Sequence, residues 1–254
     1  MEFQKGMDLS FIPELEDAGV QVKDFDGTVM DPLDLVQKYG VNSVRLRIWN
    51  APEHVRESGG YCSYAHTLAM AKRIRAHGMS FMLDFHYSDW WADPEHQNIP
   101  KAWKDLSVDA MAQELFAFTE QALLALKEAD VYPDMIQIGN EIRNGMLFPV
   151  AKVPKWENLA KLVNSGIAAA RKVNADTKLM IHLDEGATYA YYEEWFDHMM
   201  AQGMTDFDVI GLSYYPYIHG SFSDFEDCLQ RLSQKYGKEL NVAEFAHPFR
   251  RSKG

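Results

Sequence analysis

The chain has 254 residues, 47% of them hydrophobic, enough for one large α/β barrel or two smaller domains. Its formal charge of −12 comes with no basic stripe and no Lys/Arg run longer than a pair, which argues against nucleic acid and anionic membranes as partners. No apolar run approaches a membrane span, the opening Met1-Glu2-Phe3-Gln4-Lys5-Gly6 lacks a signal-peptide core, and Cys62 and Cys228 lie far apart without metal-type spacing and read as free thiols.

In chain order, Phe3 to Leu9 reads as a weak first strand with Asp8 and Ser10 at its end. Asp31-Pro32-Leu33-Asp34 is a helix start, with Asp as cap and Pro at the first helical position, and Gly40 is its stop. A second strand, Ser43 to Trp49, follows; then a helix from Tyr64 to His77 closed by Gly78, and a strand Ser80 to His86. The long aromatic loop Tyr87 to Trp103 leads to a helix opened by Ser107 and running to Ala129. The most informative stretch comes next: Met135-Ile136-Gln137-Ile138-Gly139-Asn140-Glu141, a short buried strand ending in an amide and a carboxylate. A Glu at such a tip is costly unless it has a task or a partner. Helix Lys155–Val173, strand Lys178–Asp184, helix Tyr189–Gln202 and strand Asp208–Tyr215 come next. A helix from Phe222 to Tyr236 then precedes Leu240-Asn241-Val242-Ala243-Glu244, a second apolar run ending in Glu. Met199, Met200 and Met204 read as core.

Strands separated by helices imply a parallel sheet with right-handed crossovers. No dinucleotide fingerprint, P-loop, internal repeat or composition break interrupts the pattern, so a single (β/α) barrel is the natural reading, with a doubly wound sheet as the alternative. Parity favours the barrel. Alternate strand residues share a face, which groups Arg45, Arg47 and Trp49; Asp84 and His86; Gln137, Gly139 and Glu141; His182 and Asp184; and Gly211, Ser213 and Tyr215. Polar groups gathered on one face toward the strands' C-terminal ends fit a polar barrel mouth, where such folds carry their active sites.

The strings Asp84-Phe85-His86-Tyr87-Ser88-Asp89, Trp91-Ala92-Asp93-Pro94, Ile138-Gly139-Asn140-Glu141-Ile142-Arg143, Ile181-His182-Leu183-Asp184 and Tyr215-Pro216 resemble glycoside hydrolase family 53, from Gly6 to Pro248. The resemblance implies an endo-β-1,4-galactanase of (β/α)8 TIM-barrel type, acting on β-1,4-galactan or arabinogalactan I oligosaccharides by a retaining mechanism, with no cofactor and no metal. It assigns Glu141 as acid/base and Glu244 as nucleophile. Arg45 then fits as the cation that keeps Glu244 charged, Tyr215 as a hydrogen-bond donor to it, and Asn140 as the ligand of the sugar 2-hydroxyl. His86, Asp89 and Asp184 become candidate subsite ligands, and Trp49, Trp90 and Trp91 candidate sugar platforms, with one of Trp90 and Trp91 expected to touch sugar. Galactan is neutral, so an acidic enzyme meets no electrostatic penalty. Relatives of this family are mostly secreted, so the address reads as secreted with a leader removed, or cytoplasmic.

Each assignment has a structural rival: Glu141 pairing with Arg143, His86 and His182 as satisfied core histidines, Arg47 as a structural ion. The context of Glu244, Ala243-Glu244-Phe245-Ala246-His247-Pro248, departs from the family's more usual Glu-Thr. The chain also ends in Arg250-Arg251-Ser252-Lys253-Gly254, soon after Glu244. Residues 1–254 therefore read as a single catalytic domain stopping after the seventh strand, without the eighth β/α unit and its site-lining tryptophan. That predicts open edges on the first and last strands, and a monomer unless a partner covers them. A carbohydrate-binding remnant and a barrel glycanase of other β-1,4-glycan specificity are the competing functions. A metal-dependent barrel hydrolase is weaker, since the first strand, Lys5-Gly6-Met7-Asp8, lacks His-x-His.

Overall fold

A computed structural model describes residues 3–247. Pro248 and the basic ending lie outside them. Strand β1 (Gly6–Asp8) is shorter than the sequence predicts, and helix α1 (Ile12–Asp17) follows it unannounced, started by Pro13 at its second position. Helix α2 (Pro32–Lys38) is capped as expected, Asp31 accepting from the Leu33 amide at 2.7 Å. Strand β2 (Ser43–Ile48) is followed by α3 (Tyr64–Ala76), β3 (Ser80–Phe85), α4 (Val108–Glu128) and β4 (Met135–Ile138). A small antiparallel pair, β5 (Gly145–Met146) and β6 (Ala151–Lys152), sits in the loop beyond β4. Helix α5 (Trp156–Val173), β7 (Lys178–Leu183), α6 (Tyr189–Ala201), β8 (Val209–Tyr214), α7 (Phe222–Tyr236) and β9 (Glu239–Phe245) complete the order. Ser63, Ser107 and Ser221 cap α3, α4 and α7, taking up helix-start amides that would otherwise lack partners.

The sheet has seven parallel strands in the order β1-β2-β3-β4-β7-β8-β9, the curled arc of a barrel with helices between its strands. A doubly wound sheet would reverse its strand order partway, and this one runs monotonically. Among the described residues, strands β1 and β9 are the edges of this sheet, as predicted from the seven-strand count. Near the N-terminal ends, Asn241 Nδ2 donates to Gln4 Oε1 at 3.3 Å across the opening.

Between sheet and helices lies the main core, where Leu46, Ile48, Leu83, Phe85, Ile136, Ile138, Ile181 and Leu212 are all at most 1% exposed. Met199 and Met204 are buried with them, while Met200 is 36% exposed. Inside the arc the layers differ. Met82, Met135, Met180 and Val209 form an apolar floor, with Ala243 packed against it. Gly211 leaves room for this floor, since a Cβ there would sit 2.8 Å from Met180 Sδ. Above the floor come charged and polar side chains, aligned by register: Arg47 beside Asp84, Asp84 beside Gln137, His182 beside Gly211. Cys62 and Cys228 are free, buried thiols, each pushed up by that burial, to about 11 and about 12. Among the described residues, no helix is long and apolar enough to cross a membrane.

Candidate active site

The floor and the layer above it open into a cleft of about 870 Å³, lined among others by Asp8, Arg45, Arg47, Trp91, Tyr215 and Glu244. The chain turns sharply where the strands end around it. β4 stops at Gly139, whose φ of +80° and close approach to Ile142, 2.8 Å from a would-be Cβ, exclude other residues. Glu141 then takes φ 49°, ψ 48°, a left-handed conformation that costs a non-glycine residue on the order of 1 kcal/mol or more and survives only where the surroundings impose it. Tyr87 and Glu185, just past β3 and β7, do the same with φ of 51° and 58°.

Arg45 is the hub. Its buried guanidinium reaches Glu244 Oε1 at 2.9 Å, Asp84 Oδ2 at 2.8 Å, Asn140 Oδ1 at 2.8 Å and Gln137 Oε1 at 3.0 Å. Tyr215 donates to the other Glu244 oxygen at 2.6 Å. An oxygen of Glu141, one of Glu244 and a ring nitrogen of His182 lie within 4.8 Å of one another. Two carboxylates and an imidazole at that spacing could in principle hold a cation. Here Arg45 already supplies the positive charge to Glu244, and both His182 nitrogens are spent on hydrogen bonds, to Asn140 and Ser213. The donor set does not fit a resident metal.

The two carboxylates are pushed in opposite directions. Burial, then the neighbouring Glu244 charge, raises Glu141 well above the ordinary range. Burial would raise Glu244 too, but Arg45, with the Tyr215 hydrogen bond, outweighs it and holds Glu244 below that range. Divergent environments of this kind separate an acid from a base or nucleophile. Burial and Glu244 likewise raise the Tyr215 phenol, so it stays a donor.

The remaining candidates divide. Asn140 accepts from Arg45 and gives one amide hydrogen to the Ala92 carbonyl at 2.8 Å, which leaves its second hydrogen available. Trp91 lines the cleft with the Arg47 guanidinium 4.0 Å from its ring centroid and 4.3 Å from that of the neighbouring Phe11, so Arg47 has the structural task expected of it. Asp184 is held by Arg143 in a fork of 2.8 and 3.0 Å, which also removes the rival pairing of Arg143 with Glu141. His86 is buried, giving one ring nitrogen to Asp84 and accepting the Ala92 amide on the other, both at 2.9 Å. It shapes the Trp91 loop through these bonds.

Two expectations are corrected by packing. Asp89 spends one oxygen on the Ala51 amide (3.0 Å) and the other on the Lys101 amide (2.8 Å), which ties two loops together. Trp49 is fully buried against Trp90, 4.7 Å between ring centroids, and Trp91, 5.8 Å, and offers no face to a sugar. The sequence reading did not single out Gln137 and Ser213 for the site, although strand parity had grouped them with Glu141 and Tyr215. That grouping was the signal that could have found them.

Comparison with known proteins agrees with this architecture. The family model for glycosyl hydrolase family 53 matches residues 4–254. An arabinogalactan endo-β-1,4-galactanase A of Aspergillus niger is 35% identical over 96% of this chain and 70% of its own length. An uncharacterised Niallia circulans protein is 44% identical over 97% of this chain and 68% of its own. The family 53 catalytic domain of Ignisphaera aggregans superposes with a TM-score of 0.91 at 38% identity, covering 99% of this chain and 71% of that one. The chain thus spans roughly two thirds to three quarters of these relatives' lengths. A barrel arc, a carboxylate pair at its mouth and a match along essentially the whole sequence lead to one conclusion: the chain belongs to glycosyl hydrolase family 53.

Proposed function

We propose that this chain is a retaining endo-glycosidase that cleaves internal β-1,4-galactosidic bonds of galactan and arabinogalactan, with Glu141 and Glu244 as the two reacting carboxyls. The observation that carries the reading is their juxtaposition within 4.8 Å, closest oxygen to closest oxygen, with opposite shifts. Retaining enzymes hold their carboxyls about 5–5.5 Å apart, inverting ones about 6.5–9.5 Å. The substrate class comes from the relatives' activity, the Aspergillus niger protein above all.

The mechanism follows from the geometry. Glu244, ionised beside Arg45, attacks the anomeric carbon while Glu141 gives its proton to the departing glycosidic oxygen; the C–O bond to the leaving sugar breaks as the bond to Glu244 forms. Glu141, now a carboxylate, takes a proton from water, whose oxygen attacks the same carbon and expels Glu244. Two inversions return the starting configuration. The free Asn140 amide hydrogen suits the sugar 2-hydroxyl, where hydrogen bonds strengthen in the transition state. Trp91, held flat by Arg47, suits the CH-rich face of a sugar ring. Asp184 beside Arg143 is a further candidate sugar ligand.

The test is reducing-sugar release from β-1,4-galactan, with mannan, xylan and cellulose alongside, for the parent, Glu141→Gln and Glu244→Gln, with the product anomer read by NMR. Galactan alone is expected to be cut, with retention, unaffected by a chelator, and both variants are expected to lose on the order of a thousandfold or more. A folded parent that binds galactan without cutting it would instead make this chain a carbohydrate-binding protein.

A further inference from the structure

The wall behind Glu141 consists of polar groups whose hydrogens can be assigned one by one. Asn140 Oδ1 is identified as the oxygen because Arg45 donates to it at 2.8 Å while the Nδ2 side donates to the Ala92 carbonyl at 2.8 Å. Gln137 is oriented in the same way: its Oε1 accepts from Arg45 at 3.0 Å, and its two amide hydrogens go to the Gly139 carbonyl and to Asn140 Oδ1, each at 3.0 Å. It therefore has none left for His182 Nδ1, although that atom lies 3.1 Å away. His182 Nδ1 is 2.9 Å from Asn140 Oδ1, an oxygen that only accepts, so Nδ1 carries a hydrogen. Burial pushes this imidazole down to about 4, so it is neutral and its Nε2 holds a lone pair. That lone pair is 2.9 Å from Ser213 Oγ. Ser213 has a single hydrogen. If it goes to Nε2, the 2.6 Å contact between Ser213 Oγ and Glu141 Oε1 is satisfied only by a proton on Glu141.

We propose that Ser213 and His182 are positioning residues for Glu141: a chain of hydrogen bonds running one way, from the Glu141 carboxyl through Ser213 Oγ and His182 to Asn140 Oδ1, retains the proton on the acid. Ionising Glu141 turns the Ser213 hydrogen toward the carboxylate and leaves Nε2 buried without a donor. If the imidazole instead moves its hydrogen to Nε2, Nδ1 and Asn140 Oδ1 face each other lone pair to lone pair. Either way a buried partner is lost. Leaning against ionisation does not prevent it, so Glu141 can still release its proton in the first step and take one from water in the second.

The charged and titratable groups facing Glu141 and His182 are Arg45 on β2, Asp84 on β3 and His86 just after it, Asp184 after β7, Tyr192 on α6, Tyr215 after β8 and Glu244 on β9. All of them remain in a His182 variant; Asp84 and Glu244 lose only the influence of a charge on His182, which the neutral imidazole does not carry. The inference rests on Glu141 being the acid, but its test does not need turnover.

The experiment follows the Glu141 side-chain carboxyl by carbon-13 NMR against pH in the full chain, parent and His182→Phe, with nitrogen-15 shifts of the His182 ring in the parent. With Glu141 protonated, the ring is expected in the Nδ1–H form with Nε2 unprotonated. His182→Phe frees the Ser213 hydrogen for the carboxylate and lowers the Glu141 midpoint by about one pH unit, a tenfold loss of proton affinity. An Nε2–H ring while Glu141 is protonated, or a midpoint that stays or rises in His182→Phe, would overturn the proposal. Should the variant not fold, the parent's ring tautomer decides alone. If these shifts are seen in a parent that releases no sugar, the hydrolase reading fails and the one-way chain stands.

Discussion

Glu141 and Glu244 face each other across the cleft from very different strands. β4 is paired on both sides, by β3 and β7, and each of its residues is buried; Glu141 follows it into a dry turn. Among the described residues β9 is paired only with β8, and Val242 and Phe245 on it are 40% and 56% exposed. The carboxyl proposed to hold a proton comes from the supported strand, where exclusion of water raises it. The carboxyl proposed to stay charged sits at the open edge and takes its counter-charge from another strand, Arg45 on β2. Burial dominates at Glu141, and a fixed counter-charge dominates at Glu244. The arc can therefore be wetter on one side than on the other without confusing the two roles.

The sharpest way to break this comparison is to remove the counter-charge. Arg45→Met leaves Glu244 without its cation and strands Asp84, which is fully buried, beside it. Breaking a buried ionic pair costs about 3–5 kcal/mol, and losing a preorganised electrostatic partner typically costs about 100-fold or more in rate. Urea unfolding and galactan hydrolysis measure both. An unfolding midpoint equal to the parent's would mean that the network is not held by Arg45.

The two sides should also differ in what their apolar side chains contribute. Ile181→Ala, in the middle of β7 and fully buried, is expected to destabilise by about 2–5 kcal/mol. Val242→Ala, on the half-exposed edge, is expected to cost under about 1 kcal/mol. Equal losses in parallel urea titrations would show that β9 is as firmly packed as the interior strands.

Much of this was legible in the sequence because strand parity is a strong signal. Alternation sorted Arg45, Asp84, Gln137, His182 and Ser213 onto one face before any coordinates, and helix caps such as Asp31 and Ser107 were read from residue type alone. Asp89 and Trp49 were misread for one reason: a polar or aromatic residue near a strand end can turn toward the cleft or toward a neighbouring loop. That choice is made by long-range partners such as the Ala51 and Lys101 amides, which no local pattern reveals. Helix α1 escaped because it is six residues long, too short for a helical period to emerge. The direction of the bonds behind Glu141 depends on how hydrogens are shared among five side chains from four strands, information that exists only once the arc has closed around them.

A milder change probes the edge carboxylate. Tyr215→Phe removes the 2.6 Å hydrogen bond to Glu244 Oε2, one of the interactions holding that carboxyl down. The acid limb of the pH–rate profile is expected to move up by about half a unit to one unit, and kcat to fall roughly tenfold at neutral pH, as for loss of a charge-assisted bond. The alkaline limb, set by Glu141, should move little. A shift of that limb alone would reverse the assignment of the two roles.

The effect on stability has opposite signs at the two carboxyls. Glu141 is raised on folding, so the native state binds its proton more tightly than the unfolded chain does. Stability from this source is complete below the unfolded value, about 4.3, and declines as pH rises toward the native value, by at most about 1.4 kcal/mol per pH unit. Gln carries no such proton, so Glu141→Gln should gain on the parent progressively through this window. Glu244 is lowered on folding, and its contribution is present above the unfolded value and lost as pH falls toward the native one. Glu244→Gln should therefore be less stable than the parent near neutrality, with the gap closing in acid. Melting curves of the three proteins from about pH 2 to about pH 9 span both windows. If both variants gained with rising pH, Arg45 would not be holding Glu244 ionised, and burial would govern the edge carboxyl as it governs the interior one.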